Sequence, residues 1–323
     1  MMLRRFFLAL LASLLLAATA AAGDDYGGYG GAFLQMSVTP RAVGMGNAYT
    51  AVSDDIAGIF FNPGAVAQLQ RLTIGGAYRD MSLQRSLQQF AVLFPVRGEA
   101  AIAFSGEMAS TGGVIGRDER GVDTGELDNL DGVIAIAFSR RFSRYLTLGG
   151  DIRYYYQKLE SISAYSAGFD VGGMIHLDRE SILPLDGPID LVRFGAVVRN
   201  LAAKYPWNTG EYWSQRGELG TDVTDKVPFV VKAGASVLLL KERLLLAVDG
   251  EKHEEFSPKL YAGGEFKIVP QLALRAGVAA GEPAFGVGFT LPIKTVLAKV
   301  DIAVEQARNV GGWESIFGFS VGL

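Results

Sequence analysis

Alternation of apolar and polar residues runs from about residue 72 to the last residue, in roughly fourteen short segments separated by turn-forming clusters. In the segment 146–156, for example, Ile152 and Tyr154 alternate with Asp151 and Arg153. Successive side chains of a strand point to opposite faces, so each segment predicts a strand with one apolar and one polar face. Such strands are typical of a barrel wall that has lipid outside and a polar lumen inside.

A membrane barrel is the architecture that this alternation predicts. A bilayer accepts only helices or closed barrels, because every backbone N–H and C=O must be paired internally. After the first 22 residues, no apolar stretch approaches the roughly 20 residues that a spanning helix needs. We therefore predict an all-β membrane protein, a 14-stranded antiparallel transmembrane β-barrel with an N-terminal hatch or plug segment in the lumen. The predicted strands are 72–79, 86–95, 99–109, 132–141, 146–157, 163–176, 192–201, 227–239, 243–251, 258–267, 272–280, 284–291, 298–306 and 313–323.

The lengths of the predicted connections orient the barrel, because bacterial barrels have short periplasmic turns and longer outer loops. The long connections 110–131 and 202–226 fall at one end. The short links, at the other end, are 95–98, 142–145, 240–242 and 268–271. Only the link 177–191 is longer than a periplasmic turn should be. The pattern predicts a location in the outer membrane of a Gram-negative bacterium, with outer-membrane lipid and lipopolysaccharide as partners.

The first 22 residues read as a signal peptide. Arg4 and Arg5 precede an apolar run over 6–18, and three alanines follow at 20–22. A charged region, an apolar region and a small-residue cleavage site predict export through the Sec pathway and cleavage before Gly23. An uncleaved membrane anchor would need a longer apolar run. The predicted organisation is a signal peptide at 1–22, a hatch or plug at 23–71 and the barrel at 72–323.

Residues 23–71 do not continue the alternation. They are rich in glycine and small residues and end in a helix-like stretch near 62–69. A segment of this composition ahead of the first strand can fold back into the lumen as a plug. Glycine pairs inside predicted strands, at 149–150, 172–173 and 263–264, fit this interpretation, because a mid-strand glycine often marks the close approach of another backbone.

The plug segment carries a motif that resembles a known family. The run from Arg41 to Asp55, which contains Gly44-Met45-Gly46 and ends in Asp54-Asp55, is followed by Phe61-Asn62-Pro63-Gly64. This pattern resembles the N-terminal hatch of the FadL superfamily (OmpP1/FadL/TodX), and within it the PorV/PorQ branch. The chain departs from the family in having Gly64 where alanine is usual, in ending at Leu323 rather than phenylalanine, and in its shorter length.

Two functions follow from the resemblance. The PorV/PorQ branch implies an accessory barrel of type IX-like secretion, with secretion-system proteins and their cargo as partners. FadL proper implies a transporter that imports a hydrophobic ligand, such as a long-chain fatty acid or an aromatic hydrocarbon. The hatch motif favours the first interpretation, as do the short outer loops, which leave little room for an apolar outer pocket.

Five residues of the motif are predicted to hold the hatch in the lumen. The Asn62 amide can satisfy backbone groups of the plug or wall, and Pro63 fixes the turn before the helix-like stretch. Arg41 can pair with lumenal carboxylates, and Asp54 and Asp55 with lumenal cations, since an unpaired charge inside a barrel is costly. A simpler alternative is that the two aspartates cap a short helix that begins near residue 56.

Thirteen charged residues of the predicted strands face the lumen by alternation. They can form a selectivity network along a polar conduit or a structural network that holds the plug, and the nearly equal numbers of cations and anions favour the second. The residues are Asp151, Arg153, Asp170, Arg193, Arg199, Lys232, Asp249, Glu251, Glu265, Arg275, Lys299, Asp301 and Glu305. A wide diffusion porin is less consistent with a lumen that one plug can block.

Two outer loops have features that allow more than one interpretation. The loop 202–226 contains Tyr205, Trp207, Tyr212 and Trp213, which are predicted to be either anchors for a partner or ligand or part of the outer aromatic girdle. The loop 111–131 is mostly acidic, and a solvated loop is a better explanation of it than a weak Ca²⁺ or lipopolysaccharide-bridging site.

Catalysis and cofactor binding find no support in the sequence. The chain has no cysteine, and its two histidines, His176 and His253, are not spaced as a nucleophile–base pair or a metal site. We predict a non-enzymatic protein with no cofactor and no metal site. A formal net charge of −4, without a run of Lys or Arg, also argues against a nucleic-acid partner.

Overall fold

The structure is a computed structural model that describes residues 29–118, 120–127, 129–178, 188–214, 217, 219–307 and 311–323. The predicted signal peptide lies outside the described residues. Fourteen antiparallel strands form a closed barrel, in which each strand pairs with its neighbour along the chain and the first pairs with the last. The predicted 14-stranded antiparallel barrel is confirmed.

The barrel strands match the predicted strands with shifts of a few residues. The largest shifts are at strand ends next to long connections, where the alternation is weakest. The barrel strands are β1 (Thr73–Met81), β2 (Arg85–Val96), β3 (Ala100–Thr111), β6 (Asn129–Arg141), β7 (Leu146–Leu159), β8 (Ile162–Asp178), β9 (Ile189–Leu201), β12 (Val230–Leu239), β13 (Leu244–His253), β14 (Lys259–Val269), β15 (Leu272–Ala279), β16 (Glu282–Ile293), β17 (Val296–Gln306) and β18 (Trp313–Gly322).

The two faces of the wall differ as the alternation predicts. On β7, Ile152 is 71% exposed, whereas its neighbours Asp151 and Arg153 are 5% and 2% exposed. The outward face is rich in exposed aromatic and branched side chains, which is the surface that a hydrocarbon environment favours. Among the residues described, no helix is both long and apolar enough to cross a membrane.

The two ends of the barrel carry different connections. Both ends of the wall, at Thr73 and Gly322, lie at one end, which we call the periplasmic end. The opposite, outer end carries the two longest connections. One contains the hairpin β4 (Ile115–Arg117) and β5 (Asp123–Glu126). The other contains the hairpin β10 (Lys204–Asn208) and β11 (Asp222–Lys226) with a short α-helix, Gly210–Ser214, between its strands.

Residues 29–71, the N-terminal segment, form short helical turns. They comprise 3-10 helices at Ala32–Gln35, Ile56–Phe60 and Pro63–Gln68 and an α-helix at Pro40–Gly44. Pro40 and Pro63 begin their helices, where a missing N–H costs nothing. Asp55 and Asn62 cap the second and third 3-10 helices by accepting from Ala57 N and Gly64 N. The segment packs against the inward faces of strands around the barrel.

Three apolar clusters lie between the N-terminal segment and the wall, and the smallest joins Val43 to Ala284, Ala303 and Ile316. In the first, Met45, Tyr49 and Phe60 pack against small and branched wall residues such as Ala103 and Ala247. The second lies toward the outer end and joins the first turn of the segment, the outer hairpin and the wall. It contains Phe33, Leu34, Val38, Met81, Leu87, Val133, Tyr155, Ala164, Ala203, Tyr205, Trp207 and Val227.

Candidate functional site

Arg41 lies at the centre of the polar contacts between the N-terminal segment and the wall. Its Nε and Nη2 donate to the two carboxylate oxygens of Glu265, at 2.8 and 3.0 Å. Its Nη1 donates to Asp54 at 2.5 Å, to Asp55 at 3.0 Å and to the Tyr49 hydroxyl at 3.0 Å. A planar guanidinium can bind one carboxylate with two parallel bonds, so Arg41 joins the segment to β14 in a fixed geometry.

The Arg41 cluster extends into the wall on two sides. Arg193 of β9 donates to Asp54 at 3.2 Å and to the Val52 carbonyl at 2.8 Å. On the other side, Arg275 of β15 contacts Glu265 at 2.7 Å. Burial alone would raise the pKa of Asp54, but Arg41 and then Arg193 lower that pKa well below its ordinary value. Asp54 is therefore ionised and binds two cations from opposite sides.

Asn62 and Asp249 bind backbone groups rather than charges. The Asn62 amide donates to the carbonyls of Thr50 and Gly173, both at 3.1 Å, and its oxygen accepts from Gly64 N at 3.0 Å. Asp249 of β13 accepts from the backbone N–H groups of Tyr49 and Thr50, at 2.9 and 2.8 Å. Tyr49 and Thr50 lie outside any helix or strand, so these bonds pair backbone groups that secondary structure leaves without a partner.

The Gly44-Met45-Gly46 part of the motif runs directly along the wall. A Cβ on the inward-facing Gly263 or Gly277 would collide with the backbone of Met45 or Gly46. Inward-facing Gly149 and Gly172 are likewise in contact with Pro63 and Asn62. Gly150, Gly173 and Gly264, the second members of the three predicted pairs, alternate onto the outward face. The inward glycines let two backbones approach, which is the role that their mid-strand positions predict.

The remaining predicted lumen charges form three further groups. Arg153 contacts Asp151 at 3.1 Å and Asp170 at 2.7 Å, and Arg199 contacts Asp170 at 3.2 Å. Lys232 contacts Glu251 at 3.0 Å. Arg275 also contacts Asp301, at 2.6 Å. Glu305 accepts from Asn47 of the N-terminal segment at 3.3 Å. Lys299 forms no ion pair with any residue that the structure describes.

Sequence reasoning missed Arg79, the residue that joins the first and last strands. Arg79 of β1 contacts Glu305 of β17 at 2.6 Å and Glu314 of β18 at 2.7 Å. Its Nη1 also donates to the Ser37 carbonyl of the N-terminal segment at 2.8 Å. The signal was present, since alternation along β1 places Arg79 on the inward face between Tyr78 and Asp80.

The outer-loop aromatics separate into two pairs. Tyr205 and Trp207 are 0% and 6% exposed and belong to the second apolar cluster, so neither faces lipid or solvent. Their burial is incompatible with the lipid-facing girdle, because the hairpin folds inward over the N-terminal segment, whereas a role as anchors for a partner or ligand stays a prediction. Tyr212 and Trp213 stack edge to face, 5.2 Å apart, on the short helix of the same loop.

The two histidines and the described part of the acidic loop contact other side chains of the protein. His253 contacts Glu251 at 2.8 Å, and His176 lies 3.4 Å from the Thr147 hydroxyl. In the acidic loop, Arg117 forms an exposed ion pair with Asp123 at 3.4 Å. Within the described part of the chain, no group of three or more His, Cys, Asp or Glu side chains is arranged to hold a metal ion.

A small cavity lies where the N-terminal segment meets the first strand. Its volume is about 40 Å³, and its lining includes Ile56 on the inner side and the adjacent Gly75 and Gly76 of β1. Phe90 of β2 and Phe319 of β18 also line it, although both side chains point outward and are more than half exposed. The wall is thin at this point, because β1 has no side chain here on either face.

The fold is similar to that of known hydrocarbon transporters. The toluene transporter TbuX of Ralstonia pickettii matches with a TM-score of 0.54 at 12% identity, over 88% of this chain and 96% of that one. A FadL homologue of Pseudomonas aeruginosa matches with a TM-score of 0.57 at 12% identity, over 89% and 98%. The CymD monoaromatic hydrocarbon channel matches with a TM-score of 0.58 at 10% identity, over 88% and 97%.

These similarities concern the fold. The FadL-like fold is confirmed, whereas the PorV/PorQ branch stays a prediction. No family model and no curated protein sequence matches the chain.

Proposed function

We propose that the protein is an outer-membrane transporter of apolar small molecules, and that the N-terminal segment is its hatch. The similarity of the fold to a toluene transporter and a monoaromatic hydrocarbon channel supports the class of substrate. The charged contacts of Arg41 support the hatch role, because they join the segment to the lumen side of the wall. This role for Arg41, Asp54, Asp55, Asn62 and Pro63 was predicted from the motif.

The observation that carries the proposal is the cavity beside β1. It connects the hatch residue Ile56 with the outward-facing Phe90 and Phe319, so it marks a route between the lumen and the lipid side of the wall. At about 40 Å³ the cavity has room for little more than water. An apolar molecule can therefore use this route only if the 3-10 helix Ile56–Phe60 moves away from β1.

A disulfide that fixes the hatch to the wall tests this movement. A Cβ on Gly75 would lie 2.8 Å from Ile56 Cγ2. The two Cβ atoms of an Ile56→Cys/Gly75→Cys variant would then be about 4 Å apart, which suits a disulfide. The natural chain has no cysteine, so no other thiol interferes. Uptake of radiolabelled toluene or oleate should be lost in the oxidised variant and restored by a reductant.

A second disulfide provides the matched control. Ser86 of β2 and Ser110 of β3 face each other with their hydroxyls 3.0 Å apart. A Ser86→Cys/Ser110→Cys pair cross-links two wall strands without touching the hatch, and uptake through it should equal wild type in both redox states. Normal uptake through the oxidised Ile56–Gly75 pair, with the disulfide verified by mass spectrometry, would contradict the proposed route.

Type IX-like secretion is the second candidate, and the motif from Arg41 to Asn62-Pro63 supports it through its resemblance to the PorV/PorQ branch. The comparisons with solved structures favour transport of hydrophobic molecules over secretion. A deletion strain separates the two: loss of toluene or oleate uptake with an unchanged set of secreted proteins supports the transporter, and cargo proteins retained in the periplasm with normal uptake support secretion.

A further inference from the structure

The periplasmic end of the barrel is basic. In its described turns and strand ends, nine residues are Lys or Arg and four are Asp or Glu. The basic residues are Arg71, Arg97, Arg140, Arg141, Arg144, Lys241, Arg243, Lys267 and Lys294. The acidic residues are Glu99, Asp178, Asp190 and Glu242. This excess of positive charge contrasts with the mildly acidic chain as a whole.

Two of the basic residues have carboxylate partners at this end. Arg144 contacts Asp178 at 3.2 Å, and Arg141 lies 3.9 Å from Glu99. By contrast, Lys241, Arg243 and Lys267 form no ion pair with any carboxylate in the described part of the chain. These three cations come from two neighbouring turns, the β12–β13 turn and the end of β14.

The three cations line one groove of about 550 Å³. Its other lining residues are Glu242, Ile268, Val269 and Pro270, so the formal charge around the groove is +2. Ile268 and Val269 are 41% and 46% exposed, which places apolar surface directly beside the cations. A groove with cations next to apolar side chains at the rim of a membrane barrel matches a lipid, whose phosphate is joined to acyl chains.

The backbone holds this groove in shape. Arg243 Nη2 donates to the Ile268 carbonyl at 2.8 Å, and its Nε donates to the Lys267 carbonyl at 3.3 Å. Leu240, Lys241 and Glu242 all have left-handed φ angles near +60°, a conformation that non-glycine residues seldom adopt in succession. Arg243 therefore fixes the two turns relative to each other, and the side chain of Lys241 contributes none of these bonds.

We propose that this groove binds the phosphate headgroup of an anionic phospholipid in the periplasmic leaflet of the membrane. Lys241, Arg243 and Lys267 would neutralise the phosphate, and Ile268 and Val269 would contact the beginning of the acyl chains. Arginine and lysine are the side chains that proteins use for phosphate. The proposal is independent of what the barrel transports, because the groove lies outside the lumen contacts described above.

Native mass spectrometry of the purified barrel with added lipid tests the site. The probes are phosphatidylglycerol, which is anionic, and phosphatidylcholine, which is not. The wild type should retain phosphatidylglycerol in preference to phosphatidylcholine. A Lys241→Gln/Lys267→Gln variant should bind phosphatidylglycerol more weakly, by about fivefold for each lysine removed. Arg243 is left intact, so the bonds between the two turns remain.

Two controls make the result specific. Lys294→Gln removes a cation from the β16–β17 turn, outside the groove, and should leave phosphatidylglycerol retention at the wild-type level. Circular dichroism should show the same β content in all three proteins. Equal retention of the two lipids by the wild type would overturn the proposal. Wild-type retention of phosphatidylglycerol by the double variant would also overturn it. Binding of inorganic phosphate without retention of phosphatidylglycerol would also overturn it, since the groove would then be a site for free phosphate.

Discussion

The two parts of the N-terminal segment are held by different forces. Residues 40–68, the lower part, are held by the Arg41 cluster, by Asn62 and Asp249, and by direct backbone contact with wall glycines. Residues 29–36, the upper part, are held mainly by the apolar contacts of Phe33 and Leu34 under the outer hairpin. Among the described residues, one backbone bond, from Gly30 N to the Lys226 carbonyl, joins this upper part to that hairpin.

This difference indicates that the lower part, rather than the upper part, keeps the barrel closed. Polar contacts of fixed direction and close backbone packing specify one position of the lower part, and displacing it would leave charges without partners inside the barrel. Apolar contacts do not depend strongly on direction, so the upper part can shift or exchange its neighbours at lower cost. Conductance across planar bilayers reports whether the lower part is displaced. Protease cleavage at residues 29–36 reports whether the upper part is displaced.

Gly277→Val should have the largest effect. Its Cβ would collide with the backbone of Met45 and Gly46, which cannot move aside while the segment stays in place. The lower part should be displaced, and both conductance and protease cleavage should rise to the level of a barrel without the segment. Gly250→Val is the control, because Gly250 faces outward and a Cβ there has its nearest neighbour at 3.9 Å. Wild-type conductance in the Gly277→Val variant would contradict the close packing of the Met45 and Gly46 backbone against Gly277.

Arg41→Ala should have the next largest effect. It leaves Glu265, Asp54 and Asp55 without their shared cation, and breaking a buried ion pair costs about 3–5 kcal/mol. Because Asp54 is 31% exposed, the lower end of that range applies. The open population should still rise by about 100-fold, seen as frequent channel openings. Arg41→Lys keeps the charge but not the two parallel bonds to Glu265, so its openings should be intermediate in frequency.

Asn62→Ala should have a moderate effect on the same part. It removes two donated bonds and one accepted bond in a fully buried position, which costs about 1–3 kcal/mol. Openings should be rarer than in Arg41→Ala. Asn208→Ala removes a comparable asparagine cap, from Gly210 N, at an exposed position of the outer hairpin and should leave conductance unchanged. Equal behaviour of the two variants would mean that Asn62 does not hold the lower part.

Phe33→Ala should affect the upper part alone. The lost apolar contacts should expose residues 29–36 to protease, while the Arg41 cluster keeps conductance at the wild-type level. Mass spectrometry of the fragments would locate the cleavage sites. Channel openings in this variant would show that displacing the upper part also displaces the lower part, so the two parts are not held independently.

Tyr205→Phe should have the smallest effect. The Tyr205 ring is fully buried, but its hydroxyl has no hydrogen-bond partner among the residues described. Removing a buried hydroxyl that makes no hydrogen bond breaks no interaction, and it removes the free-energy cost of burying that hydroxyl away from water. Thermal stability should be equal or slightly higher, and protease protection unchanged. A clear loss of stability would indicate that the hydroxyl binds an ordered water.

The barrel could be predicted from the sequence because a two-residue period is a local property. Asp151 and Ile152 differ in burial as their alternation requires, whichever strands lie beside them. Likewise, the mid-strand glycines correctly predicted that another segment of backbone lies close to the inner face of the wall. The orientation of Tyr205 and Trp207 could not be predicted, because the period of a hairpin does not indicate whether the hairpin folds over the lumen or toward the lipid. The contact of Arg41 with Glu265 could not be predicted either, because Glu265 lies on a strand 224 positions away along the chain.

The closure between β1 and β18 has a consequence for how the molecule is made. Thr73 pairs with Gly322, and Leu323 N donates to the Leu72 carbonyl, so the wall is complete only when the last residues of the chain are in place. Pro40 of the N-terminal segment lies against Gly318 of that last strand. The segment therefore contacts the strand that closes the wall. Residues 40–68 can then act as a template around which the sheet curves. The N-terminal segment in this way helps to position β18, the last strand.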